Sequence, residues 1–401
     1  MRILIISQLF PPDMGGGATR AYNFARGLAI NGCDVTVISS FPHYPYGKIP
    51  KKYRWKPITV EQMDGFKVIR TFMLPISSKG LANRILIFTL FTLSSLFALP
   101  LIGKIDIVWA ANPNIISVLP SIAYATVKHC PLVQNVDDLW PEELYALGML
   151  NKKSPIAKFI ELLANFTYNI SKAITPISPG YVKVICGKYS INPNKVYVIR
   201  AGVDINKFKE YDSPNKLEET FKVLYSGAFS VAYDFDQVLL AASLLKDVKD
   251  VVIILQGGGE LSSHLKAKVR ELKLGNVRIV DKILNREDVA KLLNEADALI
   301  LPLRDFGRPY LGISSKLYEY QAAGKPIICC AEGQPAEYVK ETNSGIVVKP
   351  GDYESLVNAI LYLKNNPDLT RKLGNSGRRY VENNLSVDII GLKIMAVFNH
   401  F

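Results

Sequence analysis

Short apolar runs alternate with longer amphipathic stretches along most of the chain. Residues 2–6 (Arg-Ile-Leu-Ile-Ile) and 35–38 (Val-Thr-Val-Ile) are too short for helices and read as buried strands. Between them Thr19 opens a stretch of helical spacing that runs to about Ala29 and ends at Gly32. The strand signal recurs at 105–109, 132–136, 173–177 and 196–199, and residues 180–190 read as a helix. A polar linker rich in Asp, Ser, Pro and Asn extends up to Asn215, and the pattern then restarts. Strands are expected at 221–225, 251–255, 277–280, 298–302 and from 327; helices at 235–245, 261–273, 286–295 and 353–365; and the tail from Arg378 to Phe401 reads as helical. Strands alternating with helices predict the α/β class, with two Rossmann-like βαβ domains.

The loops add chemistry to this frame. Pro11-Pro-Asp-Met-Gly-Gly-Gly17 follows the first strand, and Gln256-Gly-Gly-Gly-Glu260 follows a strand of the second domain. Neither has the G-x-G-x-x-G spacing of a dehydrogenase, but glycines such as Gly16 and Gly17 let a backbone approach a ligand closely. The stretch 312–330 carries the sharpest signal. Ser314 or Ser315 can cap a helix that holds Leu317, Tyr320 and Gln321, and Gly324 with Pro326 stops it before the next strand. Free amides at that helix start attract an anion such as a diphosphate, and Lys316 adds a formal charge. Glu319 shares the face of Ser315 and Lys316 and can accept hydrogen bonds from a ribose diol. A diphosphate beside a ribose points to a sugar nucleotide. A surface helix with a routine cap is the plainer alternative.

Acidic groups gather elsewhere. Asp137, Asp138, Glu142 and Glu143 crowd seven residues at the carboxyl end of the strand at 132–136, where open α/β sheets bind ligands. They can hold acceptor hydroxyls or stabilise positive charge on a sugar. A metal site is conceivable there, but no histidine stands near them in sequence. His43 lies in the Pro/aromatic loop 41–47, after the second strand.

Composition narrows the class. The 401 residues exceed one ordinary core, and 49% hydrophobic content excludes a disordered chain. The five cysteines are odd in number, lack metal spacing and read as free thiols in a reducing compartment. Residues 1–7 read as a strand, not as a charged and then apolar leader. The net charge of +12 sits wholly in residues 1–200, with 22 Lys and Arg against 10 Asp and Glu. Lys48, Lys51, Lys52, Arg54 and Lys56 are interleaved with Tyr53 and Trp55, and residues 85–103 carry no charge. That apolar stretch is at the lower edge for a membrane span, is diluted by Thr and Ser and is broken by Pro100. It reads as a helix docked on a bilayer surface or, as readily, as a buried core helix. No nucleic-acid motif accompanies the basic residues.

Several of these segments together resemble the GT-B glycosyltransferases of family 4. They are Phe10-Pro-Pro-Asp-Met-Gly-Gly-Gly-Ala-Thr-Arg20, His43-Tyr-Pro-Tyr-Gly-Lys48, Asp138-Leu-Trp-Pro-Glu142, Gly202-Val-Asp204, and Ser315-Lys-Leu-Tyr-Glu319 with Ala-Ala-Gly-Lys-Pro326. Within that family the chain looks most like bacterial fucosamine and sugar transferases of envelope polysaccharide synthesis. The resemblance implies two Rossmann-like domains facing across a cleft, residues 1–205 with a returning helix at 379–401, and residues 206–378. It implies retaining transfer from a nucleotide diphosphate sugar to a lipid-linked or glycan acceptor, with no cofactor and no obligatory metal. Its donor-site residues here are Gly16, Gly17, Gly227, Ser314, Ser315, Lys316 and Glu319, and its acceptor-side residues are Asp138, Glu142 and His43. A cytoplasmic enzyme peripheral to the inner membrane face follows, meeting anionic lipid through residues 48–56 and 81–103, with no nucleic-acid partner. The chain departs from the family at Leu311, where a Glu would complete E-x7-E with Glu319; at Ala232-Tyr-Asp234, where a Lys is common; and at Asp137, where the family has His. A sugar-nucleotide epimerase and a non-catalytic nucleotide- or membrane-binding subunit are the competing readings.

Overall fold

The structure, a computed structural model, describes residues 1–13, 15–44, 47–77, 80–111, 114–208 and 220–401. Residues 14, 45–46 and 112–113, and the linker from 209 up to the expected end at Asn215, lie outside the described residues. The chain divides into two compact units, Met1–Gly202 with Val387–Phe401, and Val203–Ser386.

The first unit runs β1 (Arg2–Ile6), α1 (Gly16–Ile30), β2 (Asp34–Ser40), β3 (Ile58–Met63), β4 (Phe66–Thr71), α2 (Leu81–Leu96), β5 (Ile107–Ala110), α3 (Leu119–Lys128), β6 (Leu132–Val136), α4 (Glu142–Ala146), α5 (Pro155–Ile170), β7 (Ala173–Pro176) and α6 (Pro179–Lys188). The sheet order is β3-β4-β2-β1-β5-β6-β7, parallel except for β3 against β4. Helices cover both faces of a parallel sheet, so its central strands need unbroken apolar runs. Ile3, Leu4, Ile5 and Ile6 are accordingly all fully buried.

The second unit runs β8 (Phe221–Ala228), α7 (Phe235–Leu244), β9 (Val251–Gly258), α8 (Ser262–Glu271), β10 (Val277–Asp281), α9 (Arg286–Glu295), β11 (Ala298–Pro302), α10 (Lys316–Ala322), β12 (Ile327–Cys330), α11 (Gln334–Glu341), β13 (Gly345–Val348), α12 (Tyr353–Asn365) and α13 (Pro367–Asn384). Its six strands are ordered β10-β9-β8-β11-β12-β13, so the winding reverses between β8 and β11. The last helix, α14 (Val387–Phe398), belongs to the first unit and packs on α1.

Five local expectations change. Helix α1 starts at Gly16, not Thr19, because Gly15 takes φ 115° and turns the chain before it. Residues 226–227 and 256–258 are strand, not loop: Gly227 and Gly257 pair in the β8–β9 ladder. A Cβ on Gly257 would stand 1.7 Å from the Gly227 carbonyl oxygen, so close pairing requires glycine there. Residues 196–199 do not form a strand; only Val196 bridges to Ile174, with amide bonds from Tyr197 and Ile199 onto β7. The tail is two helices, because Leu385 and Ser386 leave the helix to join Val203. The hairpin of β3 and β4 was not foreseen, although Asp64-Gly65 between them, at φ 45° and 89°, is a turn pair.

Candidate functional site

Ligands of doubly wound sheets bind beyond the carboxyl ends of the strands where the winding reverses. In the second unit that point lies between β8 and β11, and β8 ends in Ser226-Gly227-Ala228. Lys316, the first residue of α10, reaches this end. A Cβ built on Gly227 would stand 2.3 Å from Lys316 Cε and 2.4 Å from Nζ. The ammonium also sits 5.9 Å from the Tyr225 ring centroid and 5.6 Å from that of Tyr233. Among the described residues no carboxylate pairs with it. Tyr320 of the same helix receives the Ser226 amide at 3.2 Å, which ties α10 to the strand end.

The rest of α10 departs from expectation in one respect. Ser315 occupies the N-cap position with helical angles and makes no side-chain cap bond, so neither serine caps the helix as expected. The amides of Leu317 and Tyr318 are already bonded to the carbonyls of Ser314 and Ser315. A seven-residue helix carries a weak end charge, so the side chain of Lys316 is the principal positive group here. Glu319, one turn on, is ion-paired through Oε1 with Arg286 at the start of α9. Arg286 was not anticipated; it lies 33 residues away in sequence, and only the fold brings it to this carboxylate.

In the first unit, Gly16 and Gly17 form the opening turn of α1, beyond the end of β1. Asp13, in the same loop, accepts the amides of His43 and Tyr44 through Oδ1, each at 2.8 Å. Its Oδ2 is buried without a hydrogen-bond partner among the described residues. Burial pushes the Asp13 carboxyl up, with His43 opposing. His43 is itself buried, and its Nδ1 lies 2.9 Å from the Phe41 carbonyl, to which it donates. The loops carrying Gly16, Gly17 and His43 are thus joined through Asp13. Asp13 was read only as a turn residue within the Pro11–Gly17 loop.

The acidic stretch after β6 separates into different environments. Asp137 is buried and ion-paired at 2.9 Å with Arg20 of α1, which also binds Asn135 at 2.7 Å. This pairing explains the acid found where the resembled family has His: it neutralises a buried arginine. Asp138 is solvent-exposed. Crowding by surrounding protein, then repulsion from Glu143 and Asp137, pushes its pKa well above the usual carboxylate range against the pull of Arg20 and Arg84. Glu142 is held by Lys188 at 2.7 Å and Tyr189 at 3.2 Å, while Glu143 accepts from the Tyr181 hydroxyl. The structure therefore brings Asp138 to Glu143 and draws Glu142 into a separate ion-pair network. Among the described residues no three His, Cys, Asp or Glu groups assemble as metal ligands.

The basic and apolar segments also divide. Tyr53 is core, stacked on Phe41 and bonded to Glu61, whereas Trp55 is 98% exposed. Helix α2 is half-buried: Ile87 and Phe91 face the core, Leu86 and Leu93 face outward. No helix among the described residues is long and apolar enough to cross a membrane.

Comparison with known proteins bears on this geometry. Residues 14–207 match the family model "Glycosyltransferase Family 4", and residues 206–380 match "Glycosyl transferases group 1". An MMP alpha-(1->4)-mannosyltransferase of Mycolicibacterium hassiacum is 24% identical over 99% of this chain and 98% of its own. The O-antigen chain mannosyltransferase C of Escherichia coli is 27% identical over 41% of this chain and 43% of its own. Among solved structures, the fold is similar to a sucrose-phosphate synthase from Thermosynechococcus elongatus, with TM-score 0.77, 17% identity and coverage of 100% and 98%. It is also similar to HepE of Anabaena in complex with UDP and glucose, with TM-score 0.71, 16% identity and full coverage of both chains. With its two Rossmann-like units and matched residues running from 14 to 380, the chain belongs to the group 1/family 4 glycosyltransferases of GT-B fold.

Proposed function

We propose that this glycosyltransferase is a retaining enzyme that moves a sugar from a nucleotide diphosphate sugar to a lipid-linked or polysaccharide acceptor of the cell envelope, working at the cytoplasmic face of the membrane. The observation that carries the donor half is the Lys316 ammonium laid over Gly227 at the point where the second sheet reverses. A positive group at that place neutralises the charge that grows on a departing diphosphate. Glu319, one turn along the helix, offers its carboxylate to a ribose diol, and Arg286 orients it. Gly16 and Gly17 carry no side chains in the first turn of α1, which supports the expectation that backbone can approach a ligand there. Lys316 supplies positive charge of the kind a metal provides elsewhere, so the reading needs no obligatory metal.

On the acceptor side Asp138 is the favoured carboxylate. A carboxylate whose proton affinity is raised by its surroundings, Glu143 and Asp137 is, when ionised, a stronger base toward an acceptor hydroxyl. Glu142 contributes by holding Lys188, and His43 is held by its Nδ1 on the Phe41 carbonyl. The envelope setting is supported by the O-antigen relative and by the similar fold of WaaG, whose name places it in lipopolysaccharide biosynthesis. The exposed Trp55 with its basic neighbours, and the outward face of α2, support contact with an anionic membrane through residues 48–56 and 81–103.

A donor panel tests the reading. It should include GDP-mannose, named for a Corynebacterium glutamicum relative, and UDP-glucose, found in a HepE complex. The expected outcome is release of nucleoside diphosphate with one donor, with Lys316→Ala lowering turnover about 100- to 1,000-fold. Turnover unchanged in that variant overturns the phosphate role. Epimerised sugar nucleotide without acceptor makes the protein an epimerase, and no reaction across the panel makes it a binding subunit.

A further inference from the structure

Scattered exposed apolar side chains are ordinary, but several on one helix face are not. Helix α5 exposes Ile156, Phe159, Leu162, Phe166 and Ile170, with Phe159 63% and Leu162 68% exposed. At 100° per residue these five fall within one sector about 120° wide, bordering the buried face formed by Ala157, Ile160, Ala164, Thr167 and Tyr168. The remaining sector is polar, with Lys158, Asn165 and Asn169 all exposed. The helix thus has three faces: one in the core, one apolar and open, one polar and open. A helix lying at a water–lipid boundary needs that arrangement; a helix facing only water does not.

Charge identifies what covers the apolar face. Lys152 and Lys153 precede the helix, Lys158 flanks the strip and Lys172 follows its end, all exposed. The one acid on α5, Glu161, is already taken by Lys188 at 2.5 Å and by the Tyr145 hydroxyl at 3.0 Å. A second copy of this chain would bring the same lysines against themselves, whereas an anionic leaflet accepts both the strip and its basic border. The long lysine stems can lie along the apolar strip with their ammonium groups at the headgroups. Helix α2, which packs against the same turn as α5, Ile115–Val118, also exposes Leu86 and Leu93.

We propose that α5 is the membrane-docking element of the first unit, with its open apolar strip seated in the headgroup region of an anionic bilayer. This rests on the reading that the enzyme works at a membrane, and it moves the principal contact from residues 48–56 to a helix with no distinguishing signal in the sequence reading.

The full-length protein is sedimented with vesicles of phosphatidylcholine, with and without phosphatidylglycerol. Three exposed pairs are compared with wild type: Phe159→Ser with Leu162→Ser, Lys153→Glu with Lys158→Glu, and Lys51→Glu with Lys56→Glu in the basic loop. Matching circular dichroism and an unaltered rise in melting temperature with donor show that each variant is folded. Wild type should bind only the anionic vesicles. The apolar pair should weaken binding on the order of a hundredfold. The α5 lysine pair should weaken it about 25-fold or more, at about fivefold per charge near the surface. Either α5 pair binding as tightly as wild type overturns the assignment. If only the loop pair loses binding, α5 is wrong while the membrane reading stands. If wild type binds no vesicle, both fall, and the donor chemistry remains to be judged on Lys316. A dimer that the apolar pair dissociates, with vesicle binding unchanged, makes the strip a subunit interface and overturns the proposal.

Discussion

A lysine proposed to meet phosphate has to be kept from satisfying itself on a nearby carboxylate. Lys316 meets that condition by lying over a glycine and between aromatic rings, with Glu319 engaged by Arg286. The lysine and the acid were legible in the sequence, since both belong to one helical turn. Arg286 was not, because its relation to Glu319 is made by the winding of the sheet. Replacing Glu319 with Ala should raise the donor KM about 10- to 100-fold, the worth of hydrogen bonds to a charged group, while a donor lacking the ribose hydroxyls should show little difference between the two proteins. Steady-state kinetics with the two donors measure this. The first unit holds a comparable residue-scale prediction away from the site. Partial burial works against ionisation of Glu61, but hydrogen bonds from Arg70, Tyr53 and Lys52 outweigh it and hold the pKa at about 2. The folded value lies below the unfolded one, so this group adds stability at neutral pH and loses it as pH falls from about 4.5 through about 2. Glu61→Gln should therefore cost about 3 kcal/mol at pH 7, leaving the fully buried Arg70 without its anion, with the gap to wild type narrowing below pH 4.5. Denaturant midpoints at a series of pH values test the sign.

Element boundaries were readable where an apolar run was short and closed by Gly or Pro. Strands β1, β11 and β12 and helix α12 follow that signal closely. The signal failed where glycine lay within a strand, because Gly227 and Gly257 serve close pairing of β8 with β9 rather than a turn. It failed again at α5, where two adjoining apolar faces merge into one broad arc that does not tell the buried face from the open one. Glycine also governs how the terminal helix meets α1. A Cβ on Gly27 would stand 2.3 Å from the Val387 carbonyl oxygen, and one on Gly391 would stand 2.3 Å from that of Gly27. Asn31 adds a bond at 2.9 Å to the Asp388 carbonyl. Gly391→Val should push α14 off α1 and destabilise the first unit by about 1–3 kcal/mol. Hydrogen exchange should show lost protection in Val387–Phe398 and α1, with the second unit unchanged.

At the scale of the molecule the two units differ in charge more than in fold. Each is a doubly wound sheet, but the excess of basic residues belongs to the first half of the sequence, and the second half is balanced. The division of labour proposed here follows that asymmetry, with donor chemistry in the balanced unit and the acceptor and its membrane in the basic one. Fold and reaction class were legible because alternating βα signals and several motif segments reinforced one another over most of the chain. The environments of the acidic stretch were less so: four carboxylates in seven residues look alike in sequence, and only burial and partners separate Asp138 from Glu142. The most direct measurement is a crystal structure with bound nucleoside diphosphate from whichever donor the panel selects. The account predicts the phosphates against the Lys316 ammonium beside Gly227, and the ribose hydroxyls on Glu319. A nucleotide bound elsewhere, with both side chains unengaged, would contradict it.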